Sequence, residues 1–217
     1  MVKLIIYSKM TEATKTAQDF QGPKLYYHED IGNYRAETKY PRELILERIQ
    51  EIGENIIEDN INTEKKITLI EIGLGAQEFF KHLYQYLEEN SNLDIDRMYI
   101  PAKSYVGKEQ GGIEIGDYEL PEEGLTDGIS ILVDCVCDGK GTLREVSREI
   151  SQYQPSRQDA AILFLKSHEE VIDSSMFQNE YIGFLAEPED WLIGFSVDFK
   201  NQGREEPDMC VMVLENE

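Results

Sequence analysis

Apolar residues recur at helical spacing across residues 41–59, where Leu44, Ile45, Ile49, Ile52, Ile56 and Ile57 share one face and Pro41 suits a first-turn position. The spacing predicts an amphipathic helix. The period then changes. Residues 67–72 form a near-continuous apolar run, Gly73-Leu74-Gly75 breaks it, and Phe79, Phe80, Leu83, Tyr84 and Leu87 return to one helical face. That order reads as a strand, a tight turn and a second helix. Further strands are predicted at residues 98–100, 129–136, 160–165, 191–199 and 209–214, with a helix-like segment at 143–153. A short apolar run at residues 2–7 reads as one more strand. Strands alternating with helices imply an α/β fold with a mainly parallel sheet covered by helices.

Two stretches break the pattern. Residues 104–128 carry six glycines among many acids, a composition expected of a mobile flap over an active site. Residues 11–39 show no sustained period and are expected to be irregular or cap-forming. The chain has no internal repeat and no low-complexity segment.

Length and charge narrow the function. A chain of 217 residues, 41% of them apolar, is expected to form one domain around one core. Its 43 acidic side chains outnumber 21 basic ones, for a formal charge of −22. Such a surface repels phosphodiester backbones and anionic lipid, so neither nucleic acid nor membrane is expected as a partner. The apolar run at 2–7 is too short to span a bilayer and lacks a signal-peptide pattern. Cys135, Cys137 and Cys210 show no zinc spacing with His28, His82 or His168, which leaves buried thiols in a reducing cytoplasm as the expected reading.

The chemistry concentrates in residues 129–143. An apolar β-branched run ends in Asp134 and Asp138, four residues apart, and Gly139-Lys140-Gly141-Thr142 follows at once. A buried parallel strand presents such acids at its carboxyl end, where open α/β sheets bind ligands. The glycine turn exposes backbone N–H groups, which with the Thr142 hydroxyl and a following helix suit a phosphate monoester. Acids beside a phosphate cradle point to a ribose 5-phosphate. The order Gly-Lys-Ser/Thr is absent, which rules out a nucleoside-triphosphate P-loop. Taken alone, Asp134 and Asp138 also fit a solvated strand end or a helix cap. Gly73 and Gly75 also fit a strand terminus, and Arg204 fits a surface ion pair among Glu205, Glu206 and Asp208.

The 129–143 stretch resembles the phosphoribosyl pyrophosphate signature of the type I phosphoribosyltransferases, and four further segments resemble their hypoxanthine-guanine branch. These are Lys103-Ser104-Tyr105, the run from Ala161 to Lys166, Tyr181-Ile182-Gly183-Phe184 (similar to a family connector), and the run from Trp191 to Phe199 with Arg204, Cys210 and Val211 beyond. The resemblance covers roughly residues 65–214. It implies a single domain over residues 1–217, with a small hood built from residues 1–40 and 185–217.

It also implies roles. Asp138 would exchange a proton with purine N7, and Asp134 would contact ribose and support Mg²⁺. Gly139, Lys140, Gly141 and Thr142 would cradle the 5-phosphate. Lys166 would donate to purine O6, Trp191 would stack on the base, and Leu192 would lie near its exocyclic edge. Leu74, Gly75 and Arg204 would border pyrophosphate, Asp198 would attend a second metal ion, and Ser104 and Tyr105 would close over the site. The implied activity converts guanine or hypoxanthine and phosphoribosyl pyrophosphate to the nucleoside monophosphate and pyrophosphate, with Mg²⁺, in a homodimer or homotetramer. Four positions depart from the family pattern. Cys135 replaces an acid, Leu74 a lysine or arginine, Gly139 a threonine and Lys140 a glycine. Two alternatives stay open: a catalytically weak nucleotide-binding sensor, and an enzyme that prefers xanthine.

Overall fold

The computed structural model describes residues 3–6, 23–104, 113–121, 123–139, 141–166 and 176–215. Among these, the chain runs β1 (Lys3–Ile6), β2 (Lys24–His28), β3 (Gly32–Tyr40), α1 (Arg42–Asn60) and β4 (Ile67–Ile72). A 3-10 turn (Leu74–Ala76) leads into α2 (Gln77–Asn90), followed by β5 (Ile95–Ile100), β6 (Ala102–Ser104), β7 (Ile113–Ile115), β8 (Ile129–Cys137) and α3 (Gly141–Ser151). β9 (Arg157–Leu165), β10 (Asn179–Leu185), β11 (Leu192–Ile193) and β12 (Met209–Leu214) complete it.

Six of the described strands form one parallel sheet in the order β1-β10-β9-β8-β4-β5. β8 and β9 lie near its centre with apolar side chains on both faces, and Ile131, Leu132, Val133 and residues 160–164 are fully buried. Strands covered on both sides need largely apolar sequence, which is why residues 160–165 are unbroken and β8 is broken only by Ser130 and Asp134. On one face, Ile45, Ile49, Ile52 and Ile56 of α1 and Phe79, Leu83 and Leu87 of α2 pack against the sheet. On the other, Leu143, Val146 and Ile150 of α3 close the core with Leu125 and Phe177. Asn60 ends α1 inside the protein. Its amide donates to the Ile56 carbonyl at 2.8 Å and accepts from Arg157 at 2.5 Å, so a polar group lost from water is paired. No helix among the described residues is long and apolar enough to cross a membrane.

A second, antiparallel sheet in the order β11-β12-β3-β2 forms the hood. Here residues 11–39 depart from expectation: β2 and most of β3 lie within a region expected to be irregular. Their inward side chains, Tyr26, Tyr34 and Ala36, pack on Phe199, Ile193 and Cys210. Lysines, glutamates and an arginine occupy much of the rest, so the two-residue alternation was too sparse to register as a strand. Residues 191–199 are also corrected. Only Leu192–Ile193 is strand, because the chain reverses at Gly194 and again at Phe199 through mutual backbone hydrogen bonds, Gly194 with Val197 and Phe199 with Gln202. The segment Tyr181–Phe184, likened to a connector, is interior strand in β10.

Part of the 104–128 stretch is held to the core. β7 pairs with β6, the Tyr118 hydroxyl donates to Glu149 of α3 at 2.5 Å, and Leu125 is buried.

Gly183 of β10 is fixed by crowding. A Cβ there would lie 2.7 Å from the Leu163 carbonyl oxygen and 3.2 Å from Cγ of Arg48, whose guanidinium stacks on Phe184. Gly183→Ala is expected to cost about 2 kcal/mol, as overpacked cores do. Urea unfolding followed by circular dichroism measures it, and an unchanged midpoint contradicts the packing.

Candidate functional site

Polar side chains gather where the buried strands end. Beyond Cys137 the chain leaves β8 through Asp138 and Gly139, the latter at φ 69°, and enters α3 at Gly141. Lys166 leaves β9 beside it, its backbone N–H donating to the Cys137 carbonyl at 3.1 Å. The Lys166 ammonium is buried, with 8% of the side chain exposed, and donates to Asp138 Oδ2 at 2.6 Å; Asp138 itself is 67% exposed. A buried cation thus faces outward onto a solvent-reachable carboxylate at the tips of neighbouring strands. Gly141 and Thr142 open α3, placing the first-turn N–H groups of an 11-residue helix beside Asp138. Lys140 and Tyr105 lie outside the described residues, as does the side chain of Ser104.

Asp134 sits four residues deeper, on β8. Burial pushes its carboxyl up to about 7, against hydrogen bonds from the Cys135 and Val136 backbone N–H groups that favour the charged form. Its neighbour Cys135 points the opposite way, into the α1/α2 core, and burial raises its thiol. Residue 135 therefore offers nothing to a ligand, and Asp134 is left as the strand's sole acid at this depth.

A second group of residues surrounds the turn after β4. Gly73 holds φ 62° with its N–H donating to the Ile100 carbonyl at 2.9 Å, and a Cβ would lie 3.0 Å from the Ala102 carbonyl. The following turn packs against β8. Leu74, 55% exposed, and Arg204 line a cleft of about 490 Å³ with Arg42, Gln77 and Ser196. Arg204 donates to the Ser196 carbonyl at 2.7 Å and pairs with Asp198, which also accepts the Asn201 N–H at 2.5 Å.

Two tight turns hold this arrangement. Phe195 and Ser196 sit at φ 47° and 75°, and Lys200 and Asn201 at 48° and 67°, all in the left-handed region that costs side-chain-bearing residues roughly 1–3 kcal/mol each. Strain of this kind persists only where neighbours impose it. Here Gly194, at φ 104°, lets the backbone pass so close to Asp208 that a Cβ would lie 2.1 Å from its carbonyl oxygen.

Trp191 stands at the hood's edge, 55% exposed, with its ring at 5.2 Å and 73° to Phe199. Leu192 is buried and pairs with Val211. The site residues read from sequence therefore fall into a strand-tip group (Asp134, Asp138, Gly139, Gly141, Thr142, Lys166), a cleft group (Leu74, Gly75, Arg204, Asp198) and an aromatic ledge (Trp191, Leu192). Sequence reading missed Arg42, Glu78, His82, Phe195 and Ser196. Arg42 lies far from the other cleft residues in sequence, and its only signal is its place after Pro41 at a helix start. A larger cleft of about 690 Å³ opens at the opposite, amino end of the strands, between α3 and the starts of β9 and β10. None of the acids above reaches it, and open parallel sheets bind ligands at the carboxyl edge.

No family model matches the chain, and no curated protein matches it. Solved structures do. A hypoxanthine-guanine phosphoribosyltransferase from Bacillus anthracis aligns with a TM-score of 0.68 at 21% identity, over 82% of this chain and 96% of its own. A hypoxanthine phosphoribosyltransferase from Trypanosoma cruzi aligns at 0.67 and 20% identity, over 82% and 97%. One from Staphylococcus aureus aligns at 0.67 and 15% identity, over 82% and 91%. At these identities the likeness establishes the fold: a parallel, helix-flanked sheet with an antiparallel hood, as in the type I phosphoribosyltransferases.

Asp134 carries a testable cost. Its folded value of about 7 lies above the ordinary aspartate value of 3.8, so ionising it in place opposes folding. The penalty is full above about pH 7, shrinks as pH falls through that value, and is gone below about pH 4. Asp134→Asn is expected to stabilise the protein by on the order of 2–4 kcal/mol at pH 8 and by almost nothing at pH 4. Thermal unfolding across that range checks it; a gain independent of pH contradicts the burial.

Proposed function

We propose that the protein is a purine-salvage phosphoribosyltransferase that joins guanine or hypoxanthine to the ribosyl group of phosphoribosyl pyrophosphate. The observation that carries this reading is the Lys166–Asp138 pair at 2.6 Å on adjacent strand tips. O6 and N7 are neighbouring atoms on one edge of a 6-oxopurine. A donor and an acid one hydrogen bond apart face both at once, and the base would replace their direct contact.

In this reading, N9 of the base forms a bond to the anomeric carbon while the bond from that carbon to the pyrophosphate oxygen breaks. Asp138 takes the proton from N7, a positioning worth about 10²–10⁴-fold in rate. Lys166 has only donors, which favours a 6-oxo group over the amino group of adenine, since a mismatched buried donor costs about 1–3 kcal/mol. Trp191 supplies a flat exposed face for the base. The Gly139 and Gly141 backbone and the Thr142 hydroxyl, at the start of α3, suit the 5-phosphate. Arg204 meets the departing pyrophosphate, with Asp198 holding its guanidinium in place.

Mg²⁺ is the metal this chemistry calls on, to neutralise charge on the leaving pyrophosphate. Among the described residues no group of three or more His, Cys, Asp or Glu side chains could hold a metal ion. Two separate carboxylates, Asp134 and Asp198, suit an ion bound mostly by substrate oxygens, as Mg²⁺ prefers. A second reading, a nucleotide-binding sensor, has support in the buried Cys135 and the aliphatic Leu74, which take two polar contacts from the substrate.

An absorbance assay with phosphoribosyl pyrophosphate and Mg²⁺ tests both. Guanine or hypoxanthine is expected to turn over, adenine not, and Asp138→Asn is expected to lower kcat by about 10²–10⁴-fold. Xanthine as the preferred base would move the specificity, and nucleotide binding without turnover of any base would favour the sensor. Lys166→Met is expected to erase the preference for a 6-oxo group over adenine.

A further inference from the structure

Arg42, the first residue of α1, has a guanidinium that its surroundings leave partly unused. It lies over the Phe195 ring at 5.5 Å and is 31% exposed. Its Nη2 reaches His82 Nε2 at 2.9 Å and Glu78 Oε2 at 3.4 Å. Burial first, and Arg42 second, hold His82 below its usual value against the opposing pull of Glu78, whose Oε2 lies 3.3 Å from the same Nε2; in the neutral ring with its proton on Nδ1, Nε2 accepts from the arginine. Both contacts use Nη2, and among the described residues no hydrogen bond engages Nε or Nη1.

Those donors border the same cleft as Arg204. The two guanidiniums flank the strained Phe195-Ser196 turn, Arg42 stacked on the ring and Arg204 bound to the Ser196 carbonyl. The acids around the cleft have cations of their own. Glu205 and Glu206 sit on Lys24 at 2.7 and 2.8 Å, and Glu78 is shared with Lys81 at 3.3 Å. The N–H groups leading into α2 are largely engaged, Ala76 with the Gly73 carbonyl, Gln77 with the Leu74 carbonyl and Glu78 with the Ser196 hydroxyl at 3.1 Å, which leaves side-chain cations as the main charged donors here. Leu74, which also lines the cleft, adds none.

We propose that Arg42 is a second pyrophosphate-binding residue, clamping the diphosphate end of the substrate against Arg204 from the far wall of the cleft. The assignment deepens the phosphoribosyltransferase reading and rests on it for the identity of the ligand. Paired guanidiniums suit a diphosphate because each presents a planar fork to one phosphate group.

The test is calorimetric titration of the full chain with inorganic pyrophosphate and Mg²⁺, alongside the transfer assay on the same preparations. Arg42→Gln is expected to weaken pyrophosphate binding about tenfold or more, the loss of one charge-assisted contact. Arg42→Lys is expected to recover part of it, and Leu74→Lys placed in the Arg42→Gln background to recover more, while GMP affinity stays near the wild-type value throughout. Thermal unfolding establishes that each variant is folded, and the lysine variant keeps the cation should glutamine disturb Phe195. Pyrophosphate affinity within twofold of wild type in Arg42→Gln, with Arg204→Gln strongly weakened, overturns the assignment and leaves the transferase reading intact. Arg42-dependent pyrophosphate binding in a protein that transfers no phosphoribosyl group supports the assignment and sinks the reading instead. Absence of pyrophosphate binding by the wild type overturns the assignment.

Discussion

Burial of β8 and β9 on both faces is the constraint on which the site depends. A strand with apolar neighbours above, below and on either side has no place for a charge along its length, because an unpaired buried ion costs several kcal/mol. Polar groups gather toward the strand ends: Ser130 and Asp159, the latter paired with Arg157, lie near the amino ends of β8 and β9, and the carboxyl ends carry the rest. Asp138 and Lys166 stand at those ends, one residue past Cys137 and one past Leu165, and their pairing satisfies the lysine that burial would otherwise penalise. Asp134 is an acid placed inside the carboxyl half of β8. It lies inside the strand, and its raised carboxyl shows what that position costs.

The rest of the architecture holds these tips in position. α1 and α2 on one face and α3 on the other clamp the sheet, while the turn after β4 packs against β8. The hood is a separate, smaller core around Tyr34, Ile193 and Phe199. Between them the chain reverses twice with four residues in left-handed conformations, and Arg204, paired with Asp198, shares a cleft with Leu74 of the turn after β4. Local strain is concentrated where the hood meets the parallel sheet, and the surrounding sheets maintain it.

How much of this was legible in the sequence follows from what each element buries. β4, β8 and β9 bury nearly every side chain, so they read as apolar runs; α1 and α2 bury one stripe, so they read as a 3.6 period. The tip residues were legible because an apolar run that stops at an acid followed by glycines has few structural meanings. β2 and β3 were not legible, because a hood strand buries every second residue on a small core and fills the remainder with Lys24, Arg35 and Glu37. Residues 191–199 misled for the opposite reason: their apolar content serves two turns and a ledge, with Phe195 and Phe199 packed in different directions. Arg42 and His82 were invisible because their partnership crosses 40 residues of sequence and involves no apolar signal.

The hood joins segments from distant parts of the chain. β3, at residues 32–40, finds one neighbour in β2 close by in sequence and the other in β12, at residues 209–214. During synthesis the sheet edge bearing Asp138 and Lys166 has all its flanking strands well before β12 emerges, whereas the ledge bearing Trp191 does not. Vectorial folding would therefore complete the sheet edge carrying Asp138 and Lys166 first and leave the aromatic ledge for last, so a nascent chain stalled short of residue 209 would carry, on the proposed function, the phosphate half of the site without the surface offered to the base.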